Sequence, residues 1–188
     1  MMQTSPHLYL ITAPRGAGKT TFCRVLADQA RAAGWDVAGI LSPPVFENGI
    51  KTGILAQDLR TGESRPLAVL ATQSPTLAPD ASAGVTNYHL PLGQWLFDPT
   101  VIAWGNQVLQ SRQPCDLFIV DELGPLELIR GEGWVNAFDA LRQVSYRLGV
   151  VVIRPECVDD FSKLGFSFQV RKLLDPQTSS LLTPYLIK

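Results

Sequence analysis

The stretch Ala13-Pro14-Arg15-Gly16-Ala17-Gly18-Lys19-Thr20-Thr21 decides how the rest of this chain is interpreted. The apolar run before it, Leu8-Tyr9-Leu10-Ile11-Thr12, predicts a buried strand, and apolar residues at helical spacing follow it. Small residues in such a turn let successive backbone N–H groups face a polyphosphate, and the start of the helix adds its partial positive charge. Strand, glycine-rich turn, Gly-Lys-Thr and helix together predict a P-loop.

The individual residues of this loop have separate expected roles. We expect the whole of 13–21 to bind the phosphates of a nucleotide, with Lys19 reaching the outer phosphates and Thr21 an inner one. Thr20 is expected to present its hydroxyl to Mg²⁺. The strict motif begins with glycine where this chain has Ala13, and alanine fits that position if its φ is negative.

Composition restricts the class of protein. The chain has 188 residues, 46% of them hydrophobic, and a mean hydropathy of +0.10, which predicts one globular domain over 1–188. The net charge of −1 gives no electrostatic footprint for nucleic acid. The N-terminal apolar run is too short for a signal sequence or a membrane span, so we expect a cytoplasmic protein without membrane contact.

Cysteine and histidine give no sign of a metal centre or a disulfide framework. Cys23, Cys115 and Cys157 lie far apart in the sequence and form no C-x-x-C pair, which favours reduced thiols. His7 and His89 are interpreted as ordinary surface or loop residues.

Strand and helix patterns alternate along the chain and predict an α/β fold. The expected architecture is a three-layer α/β/α P-loop domain with a mostly parallel sheet. A β-rich insert at about 43–70, with a hairpin turn at Asn48-Gly49, is expected to form an antiparallel meander. A flexible loop is expected at about 71–86, where Thr, Ser, Pro, Ala and Gly dominate.

The second half of the chain continues the alternation. We expect helices at 100–111 and 134–148, the second ended by Gly149, and then a buried strand at 150–153. Tyr88, Trp95 and Phe97 stand close together before the first of these helices. They either pack under the loop or offer a ring that stacks on a nucleobase.

A second site motif follows the apolar strand Leu117-Phe118-Ile119-Val120, which ends in Asp121-Glu122. Ligands in open α/β sheets bind beyond the carboxyl ends of the strands, so these acids should face the P-loop. We expect Asp121 to hold Mg²⁺ opposite Thr20. Glu122 is expected to activate the water that attacks the γ-phosphorus, with a capping or ion-pair role as the alternative.

Hydrolysis also benefits from a cation beside the developing charge on the γ-phosphate. The candidates are Arg15, Arg130, Arg154 and Arg171. Arg154 follows a predicted buried strand at the ligand edge and Arg15 lies in the phosphate loop, while pairing with a surface carboxylate remains open for either.

These motifs resemble one family. The set comprises the P-loop, Gly39-Ile-Leu-Ser-Pro-Pro, Asp58-Leu-Arg-Thr-Gly-Glu63 and Ile119-Val-Asp-Glu-Leu-Gly-Pro-Leu-Glu-Leu128. It is similar to the small P-loop nucleoside-triphosphatases of the thermophile and human cancer-related nucleoside-triphosphatase family. The resemblance implies Mg²⁺-dependent hydrolysis of nucleoside triphosphates, with Asp121 as the magnesium carboxylate and Glu122 as the catalytic glutamate.

Three functions follow as hypotheses. The first is hydrolysis of ATP, GTP, CTP and UTP with broad base tolerance, because the chain lacks the Asn/Thr-Lys-x-Asp signature that selects guanine. The second is a kinase for a small molecule or nucleotide, although the sequence shows no arginine-rich lid and no acceptor pocket. The third is a slow nucleotide-dependent switch that binds a protein partner.

Overall fold

The computed structural model describes residues 7–73, 88–111 and 113–173, and every structural statement below concerns this part of the chain. The predicted loop at 71–86 lies outside it except for a short 3₁₀ turn, Ala71–Gln73. The ten strands are β1 (His7–Thr12), β2 (Val37–Leu41), β3 (Pro44–Glu47), β4 (Ile50–Asp58), β5 (Ser64–Leu70), β6 (Leu90–Leu92), β7 (Trp95–Phe97), β8 (Cys115–Leu123), β9 (Tyr146–Ile153) and β10 (Gln169–Lys172).

All ten strands belong to one mixed sheet. Its order is β10-β1-β9-β8-β2-β4-β5-β7-β6, and β3 pairs with β4 outside this path. The five strands from β10 to β2 are parallel neighbours, and every pairing beyond β2 is antiparallel. The predicted α/β fold with an antiparallel insert is therefore confirmed, and the insert extends the sheet itself.

Helices cover both faces of the sheet. They are α1 (Lys19–Ala32), α2 (Pro99–Leu109), α3 (Pro125–Leu128), α4 (Asn136–Gln143) and α5 (Val158–Ser162). Alternate residues of the parallel strands point to opposite faces, so Leu117 and Ile119 pack with α1 while Phe118 and Val120 join the core under α2 and α4. These two cores give the three predicted layers.

The predicted hairpin is present. Asn48 and Gly49 both have positive φ, at 49° and 78°, between the antiparallel strands β3 and β4. Asn-Gly tolerates that conformation, which matches the twist of the flanking strands. The insert is larger than 43–70 because β6 and β7 add to its outer edge.

The helix predicted at 134–148 is wrong in its second half. The helix α4 ends at Gln143, and Tyr146 and Leu148 already pair with β8 in β9. Gly149 ends no helix, because it lies inside β9, where an added Cβ would come within 2.7 Å of the Tyr146 ring. The helix predicted at 100–111 forms as α2, Pro99–Leu109.

The described chain also gives the positions of the histidine and cysteine residues. Both histidines are exposed. All three cysteines are free and buried. No helix among the described residues combines the length and the apolar character needed to cross a membrane.

Candidate active site

The loop between β1 and α1 has the backbone shape that its glycines predict. Gly16 and Gly18 have φ values of 76° and 83°, in the left-handed region that favours glycine. Within the described ranges the only other residue type with positive φ is Asn48, so Ala13 meets the condition of a negative φ. Gly18 directly precedes the first turn of α1, whose free N–H groups open toward the loop.

Lys19 lies at the centre of the site and is only 8% exposed. Its ammonium donates to the carbonyl oxygens of Ala13, at 2.9 Å, and Pro14, at 3.3 Å. It also lies 3.7 Å from Oε2 of Glu122. The loop therefore holds this cation between its own backbone and the acidic end of β8.

Asp121 is almost completely buried, at 1% exposure. The Ser42 backbone N–H donates to its Oδ2 at 3.2 Å, and the Ser42 hydroxyl donates to its backbone carbonyl. Burial, with the charge of Glu122, raises the pKa of Asp121 to about 7, against the opposing effects of Ser42, the Thr20 hydroxyl and Lys19. The interaction with Thr20 brings together the two predicted magnesium ligands.

Glu122 forms an ion pair across two strand ends. Nε of Arg154, just after β9, donates to Oε1 of Glu122 at 2.7 Å. Both side chains are partly exposed, at 24% and 28%, so the pair lies at the wall of the site and not within the core. Neither terminal nitrogen of Arg154 has a hydrogen-bond partner in the described part of the chain, which leaves them able to meet an anion.

Two of the four candidate arginines line the cavity and two do not. Arg15 and Arg154 line the same cavity as Lys19. Arg130 contacts Glu132 and the Pro91 carbonyl, and Arg171 lies over the Tyr9 ring, so neither faces the cavity.

Lys51 is a charged residue of the site that sequence reasoning did not include. It lies on β4 and lines the cavity, with its ammonium 5.0 Å from the centre of the Trp95 ring. Burial lowers the pKa of Lys51, while the charges of Glu122 and Asp121 act to raise it. Its position depends on how the insert folds back to the sheet edge, and the sequence contains no signal for that contact.

Glu127 is a second charged residue that was missed. Its two carboxylate oxygens accept from the backbone N–H of Gly124, at 2.8 Å, and of Trp134, at 3.0 Å. Burial raises the pKa of Glu127 to about 7 against these two hydrogen bonds. The carboxylate thus ties together the segment that follows β8. The resembling motif ending in Leu128 contained this residue, but its burial was not foreseen.

One cavity of about 510 Å³ brings most of the predicted site residues together. It is lined by Arg15, Gly16, Gly18, Lys19, Thr20, Thr21, Asp121, Glu122 and Arg154. Ala13 and Pro14 do not line it but accept hydrogen bonds from Lys19, and Ala17 is also outside the lining. Of the three aromatic candidates, Trp95 and Phe97 reach the cavity and also pack, whereas Tyr88 does not line it.

The donor set at this cavity is of the kind that binds magnesium through a phosphate. Among the described residues, no three His, Cys, Asp or Glu side chains lie close enough to hold a metal by themselves. Thr20 and Asp121 offer two oxygen atoms, and Mg²⁺ commonly takes most of its ligands from substrate phosphates and water. The residues therefore fit a magnesium ion that arrives with a nucleotide.

A glycine-rich loop and helix facing an acidic strand end, across one edge of a parallel sheet, define an α/β protein of the P-loop class. The chain belongs to the NTPase family, whose sequence model matches residues 8–172.

The curated relatives of this chain are named nucleoside-triphosphatase THEP1. The nucleoside-triphosphatase THEP1 of Ignicoccus hospitalis is 30% identical over 63% of this chain, and the match spans 59% of that protein. The THEP1 of Thermococcus kodakarensis is 28% identical over 82% of this chain and 80% of its own length. The chain thus spans about three fifths of the Ignicoccus relative.

A solved structure supports the fold. The solution structure of a human cancer-related nucleoside triphosphatase is 18% identical to this chain, with a TM-score of 0.66. The alignment covers 97% of this chain and 96% of that one. The two proteins therefore share the arrangement of strands and helices.

Proposed function

We propose that this protein hydrolyses nucleoside triphosphates to the diphosphate and phosphate, with Mg²⁺. The observation that carries the proposal is Glu122, which follows Asp121 directly and lies 3.7 Å from Lys19 beside the phosphate loop. A carboxylate at this position is what water activation requires. The names of the family and of the THEP1 relatives agree with this activity.

The phosphate loop would bind the substrate. The backbone N–H groups of residues 15–18 and of the start of α1 would surround the inner phosphates, and Thr21 would bond one of them. The Lys19 ammonium, now held by the carbonyls of Ala13 and Pro14, would turn part of its hydrogen bonding to the outer phosphates. Since these contacts involve phosphates alone, they tolerate any of the four bases.

Thr20 and Asp121 would hold the magnesium ion. The ion, when bound, draws charge from the β- and γ-phosphate oxygens. Burial favours the protonated form of Asp121 in the free protein, so binding would be accompanied by loss of that proton. Ser42 fixes the orientation of this carboxylate from the neighbouring strand end.

Glu122 would act as the general base. Its carboxylate accepts a proton from a water molecule, whose oxygen attacks the γ-phosphorus while the bond to the bridging oxygen breaks and the diphosphate leaves. The hydrogen bond from Arg154 orients Oε1, and the second carboxylate oxygen lies toward Lys19. Arg154 therefore has two roles, because its terminal nitrogens are open to the charge that develops on the phosphoryl group.

Lys51, on β4, adds a further cation to the cavity. Its charge interacts with Glu122 and Asp121 as well as with Arg15 and Arg154, so it lies within the electrostatic range of the reacting phosphate. We place it as a stabiliser of the transferred group, contributed by the insert and not by the phosphate loop.

The three buried, free thiols are compatible with the cytoplasmic location that the sequence predicts.

A turnover panel tests the proposal. Purified protein is incubated with ATP, GTP, CTP or UTP, with Mg²⁺ or with a chelator, and phosphate release is measured. We expect release from all four triphosphates with Mg²⁺ and none with the chelator, and Lys19→Ala serves as the control for a contaminating phosphatase. No Mg²⁺-dependent release, or equal release by Lys19→Ala, would contradict the proposal.

A further inference from the structure

The cavity continues beyond the acidic residues into a region that hydrolysis does not use. We call this region the apolar lobe. It is lined by Ile54, Leu67, Trp95, Phe97, Ile102 and Trp134. All six are buried or partly buried, and β4, β5, β7, α2 and the segment before α4 contribute them.

The sheet order places the lobe on the far side of the carboxylates from the phosphate loop. Three strands, β9, β8 and β2, separate β1 from β4. Leu67, Ile102 and Trp134 belong to the core under α2 and α4, whereas the residues that start α1 belong to the opposite core. A triphosphate whose terminal phosphate meets Lys19 and Glu122 has its nucleoside at the other end of the phosphate chain, away from the lobe.

Water alone does not account for the lobe. A hydrolase needs one water molecule beside Glu122, whereas the lobe is an extended apolar part of a cavity of about 510 Å³ that it shares with the phosphate loop. Apolar walls hold water poorly, and the aromatic side chains in this wall, Trp95, Phe97 and Trp134, are of the kind that packs against a ring. The lobe is therefore shaped for an organic molecule placed next to the terminal phosphate.

We propose that the apolar lobe binds a ring-bearing primary alcohol that accepts the terminal phosphoryl group. The proposal rests on the proposed triphosphate binding at the phosphate loop. The hydroxyl oxygen of the alcohol would attack the γ-phosphorus in place of water. The hydroxyl proton would pass to the Glu122 carboxylate, and the bond between the γ-phosphorus and the diphosphate would break. The products are a phosphate monoester and the nucleoside diphosphate.

The polar groups around the lobe define the acceptor further. Lys51 and Gln94 are available at its rim. Each oxygen of Glu127 accepts a hydrogen bond from a backbone N–H group, so this buried carboxylate serves the protein's own backbone. The lobe therefore suits an uncharged ring with few polar substituents.

The four tryptophans provide a direct test of occupancy. Trp95 and Trp134 line the lobe, whereas Trp35 and Trp104 lie outside it against Arg147 and Arg65. The indole N–H signals of the full chain are recorded by ¹⁵N-resolved NMR with Mg²⁺ and a non-hydrolysable ATP analogue, during titration with benzyl alcohol or 4-pyridinemethanol. We expect the signals of Trp95 and Trp134 to move and those of Trp35 and Trp104 to stay.

Transfer is then measured with MgATP and the same two alcohols, with ³¹P NMR detecting the phosphate monoester. We expect monoester formation that rises with alcohol concentration. Ile54→Trp, which fills the lobe, should lower the ratio of monoester to free phosphate at least tenfold. Ile50→Trp is the matched control, because Ile50 lies on the same strand, is 62% exposed and does not line the cavity.

The outcomes separate this proposal from the proposed hydrolysis. Unmoved Trp95 and Trp134 signals, binding without any monoester, or movement of both signals by adenosine alone would each overturn the acceptor site. If the ATP analogue fails to shift the amide signals of residues 13–20, the proposed nucleotide binding fails first. A monoester ratio that is equal in Ile54→Trp and Ile50→Trp would place the transfer outside the lobe.

Discussion

Charged side chains at the site are held in place by partners of opposite sign or by the backbone. Lys19 has two carbonyl oxygens and Glu122, and Glu122 has Arg154. Lys51 differs, since it has no carboxylate within 4 Å in the described chain and instead lies over the Trp95 ring. A cation in this state is free to meet an incoming anion, which makes it the most informative single residue to change.

We predict that Lys51→Gln lowers kcat for triphosphate hydrolysis about tenfold, equivalent to ~1.4 kcal/mol, with a smaller effect on KM. The loss is limited because Arg15, Arg154 and Lys19 still face the phosphate. Steady-state phosphate release measures it. Lys163→Gln is the control, because Lys163 is 72% exposed and pairs with Asp160 on the surface. An unchanged kcat in Lys51→Gln would remove this lysine from the reaction.

Glu127 gives a prediction about stability and pH. Its pKa is about 7 in the folded protein against an ordinary value of 4.5, so the folded state holds its proton more tightly than the unfolded state. Between these two values the folded protein binds more protons, and the free energy of unfolding therefore falls as pH rises. The full shift corresponds to roughly 3 kcal/mol.

Glu127→Gln removes this titration. Across pH 4.5 to 8, the free energy of unfolding of the wild type should fall by up to about 3 kcal/mol more than that of the variant. Urea unfolding at several pH values measures both. Parallel pH profiles would show that Glu127 does not titrate in this window.

Among the elements, β2 positions the buried end of the site. Ser42 directly follows it and orients Asp121, and Gly39 in its middle lies against the backbone of β8. A Cβ at Gly39 would come within 1.9 Å of the Ile119 carbonyl oxygen, and its φ of 110° suits glycine alone. The contact between β2 and β8 therefore depends on this glycine.

We expect Gly39→Ala to lower the free energy of unfolding by at least about 3 kcal/mol, since it combines a backbone clash with an unfavourable φ. The matched control is Gly34→Ala, whose φ of 80° is also positive but whose Cβ would meet no atom within 4 Å. That variant should lose only about 1 kcal/mol from conformational strain. Urea unfolding compares the two, and equal losses would mean that the approach of β2 to β8 is not critical.

The local hydrophobic pattern of the sequence predicted the strands and the helix that carry the phosphate loop and the acidic residues. The strand before the phosphate loop, the helix after it and the strand that ends in Asp121-Glu122 agree with the structure because each has a strong local signal. The helix at 134–148 was overextended because its apolar spacing continues past Gln143. Pairing of Tyr146 and Leu148 with β8 overrides that spacing, and pairing between distant strands is invisible to local periodicity.

The site was predictable only where it belongs to a motif. The loop at 13–21, Asp121, Glu122 and Arg154 could be placed because strand ends of a parallel sheet meet at one edge. Lys51 and Leu67 come from the insert, whose position over that edge depends on tertiary contacts. The sequence contains no sign of an apolar lobe, because the insert builds most of that part of the cavity.

At the scale of the whole molecule, the two halves of the sheet contribute different residues to the cavity. The parallel half, from β10 to β2, supplies the phosphate loop, the acids and Arg154, and the antiparallel half supplies Lys51 and most of the apolar lobe. Under the proposed functions, the contacts that all triphosphates share are thus separate from the surface that would bind a second molecule. We expect specificity to reside in the antiparallel half.

This division predicts broad base tolerance. Catalytic efficiency for ATP, GTP, CTP and UTP should differ less than about tenfold, equivalent to ~1.4 kcal/mol, because the described contacts near the loop address phosphates. Lys19→Ala should lower activity on all four alike, since it removes a contact that they share. A preference for one base of a hundredfold or more would reveal a polar base pocket and contradict this account.

The most direct test of the central claim is Glu122→Gln, measured in parallel for binding and for turnover. The substitution keeps the size of the side chain and removes its ability to accept a proton. We predict that nucleotide affinity, from titration with a fluorescent ATP analogue, stays within about threefold, while single-turnover phosphate release falls by a factor of about 10² or more. Undiminished phosphate release would exclude Glu122 as the base and contradict the mechanism.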